Sequence, residues 1–181
     1  KYVSPSKTGK VTFDYSNNNG RYFIGQGDYL FELKFSKSSR TNVQLINGTS
    51  SVKTIAIAKD ISDFSEIKDA RIYDTSSITR RPKTNEIAVL QNVNGYYAAI
   101  KILDIKDDTR GDKNDEITFE YKILTNGSPI FSWYVLCEKR DQVIMKRFDI
   151  INYLLYISII LLIAFYFKYY HGSDLEIRPF R

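Results

Sequence analysis

The chain has 181 residues, 43% hydrophobic and 14% aromatic, which supplies one packed core plus an appendage and excludes a largely disordered protein. Its single cysteine, Cys137, excludes an intrachain disulfide and a Cys-based metal site, and with them a disulfide-stapled secreted fold. The net charge of +5 is thinly spread, with 19 Lys and Arg against 16 Asp and Glu in residues 1–135 and 7 against 5 in 136–181, so nucleic acid is a disfavoured partner.

Fourteen Tyr and eleven Phe, with many Ile and Thr, favour strands over helices. The residue-1 lysine and the one methionine, Met145, read as a fragment or processed product. VTFDY (11–15), an Asn-rich loop and YFIG predict a hairpin, and DYLFELKF (28–35) alternates Tyr29, Phe31, Leu33 and Phe35 against Glu32 and Lys34. VQLI (43–46), Asn47-Gly48 and VKTIAIAKD (52–60) predict a second hairpin. ISDFSEIKDA (61–70) carries apolar residues at helical spacing and reads as one or two helical turns capping an open end of the sheet. RIYDTSS (71–77) reads as a short strand and SITRRPKTNE (77–86) as a loop around Pro82.

EIAVLQNV (86–93) and YYAAIKILDIK (96–106) flank Asn94-Gly95, which predicts a hairpin closed by a type I′ turn. After the polar loop 107–115, EITFEYKIL (116–124) alternates again, with Ile117, Phe119, Tyr121 and Ile123 inward. Strands at this spacing, with no helical pattern between them, predict an all-β domain over 1–135, an antiparallel β-sandwich or small barrel. IFSWYVLC (130–137) fits a last strand or a helix start, and 136–149 is charge-dense enough for a juxtamembrane connector.

Residues 150–167 are 18 consecutive uncharged positions, twelve of them Ile, Leu or Phe. As a helix they rise about 27 Å, close to the hydrocarbon core of a bilayer, and their insertion is favoured by roughly 5 kcal/mol. A single C-terminal transmembrane helix over 150–168 is therefore predicted, flanked by Lys146, Arg147 and Lys168 and by interfacial Tyr169 and Tyr170, with a short polar tail over 169–181. Burial of the run inside the fold is the competing reading, disfavoured because no turn residue interrupts it. Lys139, Arg140, Lys146 and Arg147 precede the run and Lys168, Arg178 and Arg181 follow it, a small bias that places the β domain in the cytoplasm.

No spacing singles out a catalytic pair. The only histidine, His171, lies beyond the apolar run, away from any nucleophile in the β domain. The loop KDDTRGDKNDE (106–116) has the composition of a calcium loop but not the EF-hand spacing, and reads as a solvated loop in which Arg110 and Lys113 balance the acids. Neither a metal nor a cofactor is expected. The candidate contacts for a ligand or partner are Tyr96 and Tyr97, neighbours on a strand of which one must face outward, with Arg80, Arg81 and Arg110 for an anionic group. Asn47-Gly-Thr and Asn126-Gly-Ser match the glycosylation pattern but coincide with turns.

The stretch NGYYAAIKILDIKDD-RGD followed by DEITFEY, within 86–121, resembles a β module found at the C-terminal side of assorted bacterial proteins, some with Toll/interleukin-1 receptor-like (TIR) or other effector domains upstream. The resemblance implies a bacterial, accessory, non-catalytic domain that senses or binds for a partner domain, and it brings no catalytic residues. The function expected is a membrane-anchored, non-enzymatic β module that binds a ligand or partner protein. The alternatives are the regulatory part of an effector enzyme whose catalytic domain lies upstream and, after that, a nucleic-acid-binding barrel.

Overall fold

The computed structural model describes residues 2–47 and 49–170, without the side chains of 133–149, Ala164 and Phe167. The chain divides into two units, Lys1–Val135 and Leu136–Arg181. In the first, ten strands form two five-stranded sheets. The first sheet comprises β1 (Val3–Ser4), β3 (Arg21–Ile24), β4 (Phe31–Ser36), β5 (Gln44–Ile46) and β7 (Thr79–Arg80), in that order across the sheet. The second runs β2 (Thr8–Asp14), β10 (Glu116–Leu124), β9 (Tyr97–Ile105), β8 (Ile87–Asn92) and β6 (Val52–Ala58). All pairs are antiparallel except β1 with β3. The fold is a sandwich, not a closed barrel, because β2 and β6 end one sheet and β1 and β7 the other.

The core between the sheets follows from strict alternation. Ile117, Phe119, Tyr121 and Ile123 are buried on β10 while their neighbours are half-exposed. Phe119, fully buried, meets Phe35 at 5.6 Å, Tyr22 at 6.0 Å and Phe13 at 6.4 Å between ring centres, so both sheets contribute to one aromatic cluster.

Both predicted early hairpins are corrected. β2 and β3 lie in different sheets, as do β5 and β6, so each connection crosses the sandwich. The first crossing is made by consecutive left-handed residues Asn18, Asn19 and Gly20. At Gly20 a Cβ would stand 2.0 Å from the Phe35 carbonyl oxygen, so only glycine fits there. The hairpin of β8 and β9 is present, but its turn is not type I′. Asn94 has no positive φ, Gly95 alone does at 87°, and the Asn92 amide donates to the Tyr96 carbonyl across a three-residue loop. The Asn92 side chain fixes this loop, its oxygen accepting from the Asn94 and Tyr96 amides and its amide donating to the Asp28 carbonyl.

β8 and β9 read IAVL and YAAI without alternation because both their faces are covered. On the side away from the first sheet, Ala58, Ile67, Ala70, Ile87, Val89, Tyr97, Ala99 and Phe131 form a second core. The segment 61–73 lies there, with two 3-10 turns, Phe64–Glu66 and Ala70–Ile72, so the predicted turns cover a face instead of capping an end. Asp63 and Glu66 close the first in a capping box. The strand expected over 71–77 is absent, since Asp69 and Asp74 side chains accept from the Arg71 and Ser76 amides and divert the backbone into local turns. Conversely Thr79 and Arg80, expected in a loop, pair with β5.

Residues 130–132 form no strand; Phe131 and Ser132 donate from their amides to the Ile67 carbonyl. The helix α1 then runs over Trp133–Tyr170, taking in the expected connector. Its stretch Ile150–Tyr170 is long and apolar enough to cross a membrane, and none of its described side chains is buried. The tail 171–181, with His171, Arg178 and Arg181, lies outside the described residues.

Candidate functional site

Of the five residues expected to meet a ligand, four are engaged by the fold itself. Tyr97 points to the outer face of its sheet, but that face is covered; the ring is 9% exposed and its hydroxyl accepts from the Gln91 amide at 2.9 Å. Tyr96 takes the opposite face, half-buried against the main core and edge-on to Tyr29 at 6.4 Å. The expectation that one of the pair faces solvent is corrected, because segment 61–73 covers the face that alternation would leave open.

Arg80 is a staple between the two sheets. From β7 its Nε donates to the Ile55 carbonyl on β6 at 3.3 Å, and its terminal nitrogen donates to the Asp74 carbonyl at 2.5 Å and faces the Asp74 carboxylate at 3.2 Å. The Asp74 carboxyl is held below the usual carboxylate range, chiefly by hydrogen bonds from Ser76.

Arg110 belongs to an ionic knot, which corrects the solvated reading of its loop. Asp107 and Asp115 are buried, and their carboxylates, with that of exposed Asp108, lie within 4.8 Å of one another. The ammonium of Lys37, just beyond β4, reaches in, 2.7 Å from Asp115, hydrogen-bonded to Asp108 and 4.0 Å from Asp107. Its pKa is driven up by those hydrogen bonds. Arg110 donates to the Ser38 carbonyl at 3.0 Å and faces Asp107 at 3.4 Å. The Asp107 carboxyl is held low first by the Thr109 hydroxyl. Tyr15 closes the knot's base, donating to the Lys106 carbonyl at 2.9 Å; burial and the nearby Asp115 push its pKa up to about 12. Three carboxylates at this spacing suit a cation, and an ammonium already stands among them.

Arg81 alone of the five is exposed, and it makes no ion pair or hydrogen bond through its side chain among the described residues. It lines a cleft of about 340 Å³ with Lys59 and Lys83, floored by Ile57, Ala58 and Ile61 and edged by Asp60 and Glu86. The walls come from both sheets, since Lys59 follows β6 while Arg81 and Lys83 follow β7. Pro82 between the two cations is buried, and Arg81 and Lys83, two residues apart, both line the cleft. Their backbone is fixed: the Pro82 carbonyl accepts from the Val43 amide at 3.2 Å, Lys83 bridges to Asn42, and the Thr84 amide donates to the Thr41 carbonyl at 3.1 Å. Glu86 accepts from the Lys83 amide at 2.9 Å, with Asn85 left-handed at φ 70°. Lys59 and Lys83 were not singled out from sequence, because the proximity of the β6 end to the residues after β7 depends on the sheet crossing.

Lys168, Tyr169 and Tyr170 stand exposed at the C-terminal end of α1, Tyr166 against Tyr170 at 4.7 Å and Phe165 stacked on Tyr169 at 6.0 Å. Lys146 and Arg147 fall within α1, but their side chains lie outside the described set. No family model matches this sequence, and no significant match to a curated protein is found.

Proposed function

We propose that this protein is a membrane-anchored, non-enzymatic β module that binds a ligand or partner through its sandwich. The carrying observation is the stretch Ile150–Tyr170, whose described side chains all lie exposed, from Ile157 at 37% to Tyr169 at 75% among the large apolar ones. An apolar surface wrapping every side of a helix has no stable place in water, and lipid covers it without a second protein layer. Tyr166, Tyr169, Tyr170 and Lys168 at one end match the chemistry of the headgroup region. A binding role, as opposed to catalysis, is supported by the uses of the carboxylates: Asp63, Asp69, Asp74 and Asp107 each accept from a backbone amide two residues on. The small excess of Lys and Arg before the span over those after it favours a cytoplasmic β domain.

Alkaline carbonate extraction of membranes from cells expressing the full chain tests the anchor. The full chain is expected in the pellet and a variant lacking residues 150–170 in the supernatant. Full-length protein in the soluble fraction overturns the proposal, and protease protection of the sandwich in right-side-out vesicles reports its side.

A further inference from the structure

We infer that the cleft between the end of β6 and the segment 81–86 is an anion-binding site, taking a phosphoryl or carboxylate group joined to a small apolar body. The inference rests on the binding role proposed above and assigns the chemistry of the ligand. Lys59, Arg81 and Lys83 converge on one cleft, and none of the three makes a salt bridge or side-chain hydrogen bond among the described residues. Other lysines of the sandwich, such as Lys10 and Lys53, are also unpaired among the described residues; what sets these three apart is that they line one cleft with an apolar floor. Two carboxylates share the cleft, but Glu86 is turned to the Lys83 amide, and three cations against two acids leave a net positive charge.

The site is preorganised where it matters. Arg81 and Lys83 are carried on backbone tied to residues 41–43, and Arg80, between β7 and β6, holds the two walls at fixed spacing. An incoming oxyanion therefore meets donors whose backbone is already ordered, and the Arg81 fork offers two parallel donors to a planar or tetrahedral oxyanion. The floor of Ile57, Ala58 and Ile61 is apolar, so a ligand with a hydrocarbon or aromatic body gains contact that a bare ion does not. The same chemistry can be supplied by a soluble metabolite or by a lipid headgroup in the membrane that holds the chain.

Backbone-amide NMR of the full chain in phosphatidylcholine nanodiscs, titrated with phenyl phosphate, benzoate and neutral benzyl alcohol, tests the site. Saturable shifts of residues 57–61 and 81–86 with either anion, and none with benzyl alcohol, are expected. The paired variant Arg81→Gln with Lys83→Gln should weaken binding by roughly tenfold or more, with chemical shifts across β9 and β10 unchanged as proof of folding. If only discs doped with anionic lipid shift these residues, a headgroup is the source. Three results overturn the inference: no shift with any soluble probe and none with anionic lipid, equal shifts with benzyl alcohol, or undiminished anion binding in the variant. Anchoring is read separately by extraction, so failure here and failure of the anchor are distinguishable.

Discussion

Replacing Lys37 by Met removes the cation from the knot of Asp107, Asp108 and Asp115 while keeping most of the side-chain volume. Asp107 and Asp115 are 1% and 2% exposed, so the substitution strands buried charge. Losing one partner of a buried pair costs up to about 3–5 kcal/mol, but the Lys37 side chain is 40% exposed and Arg110 still faces Asp107, so a loss of stability well below that bound is expected at neutral pH. The sign with pH follows from the direction of the shift. In the native protein the Asp107 carboxyl is held low, so its stabilisation is present above the ordinary carboxylate range near about 3.9 and is lost as pH falls through the depressed value. Without Lys37 the three carboxylates repel, and protonation relieves them, so the deficit of the variant is greatest near neutrality and shrinks as pH falls toward about 4. Urea unfolding of the full chain in detergent, followed by near-ultraviolet circular dichroism at both pH values, measures the difference. A variant as stable as the native protein at neutral pH, or a deficit that does not shrink on acidification, refutes the account of the knot.

Phe119→Ala empties the centre of the aromatic cluster and should cost about 3–5 kcal/mol in the same unfolding assay. Gly20→Ala sets a Cβ against the Phe35 carbonyl at a φ of 70°, and a loss of about 3 kcal/mol or more, or failure to fold, is expected from thermal unfolding. Introducing Ile157→Arg together with Leu161→Arg costs roughly 6 kcal/mol of insertion, enough to cancel the apolar gain, and should move the chain from the carbonate pellet to the supernatant.

The strands were legible wherever one face meets water. On β10 and β4 the period-two pattern named the inward residues, Ile117, Phe119, Tyr121 and Ile123 on one and Phe31, Leu33 and Phe35 on the other. Pairing partners were less legible, because an Asn- or Gly-rich link between two apolar runs serves equally for a hairpin and for a crossing between sheets. Asn92-Val-Asn-Gly-Tyr96 closes a hairpin with its asparagine side chain, whereas Asn18-Asn-Gly20 spends the same residue types on a crossing. Nothing local separates them; the decision lies in Gly20 meeting Phe35, a contact between residues from different strands. RIYDTSS had the composition of a strand, but Asp69 and Asp74 made local turns cheaper than a ladder, and the apolar Ile72 at 70% and Ile78 at 69% were left exposed in consequence.

The same logic divides Arg80 from Arg81. Sequence supplied the pair as one candidate, since both lie just before Pro82 with identical chemistry. Neighbours in an extended segment point opposite ways, so one of the two had to face the edge of the other sheet and the other had to face away. β6 passes on the Arg80 side, where the Ile55 carbonyl, an acceptor without a strand partner on that edge, takes its Nε. An open sandwich edge exposes just such acceptors, and an arginine that reaches across covers them without forming a strand. Arg81 is thereby left lining the cleft with Lys83, two residues on. Closing the sandwich and leaving Arg81 exposed in the cleft are thus one event of alternation, and moving the register of β7 by a single residue would exchange the staple for the cleft-lining arginine.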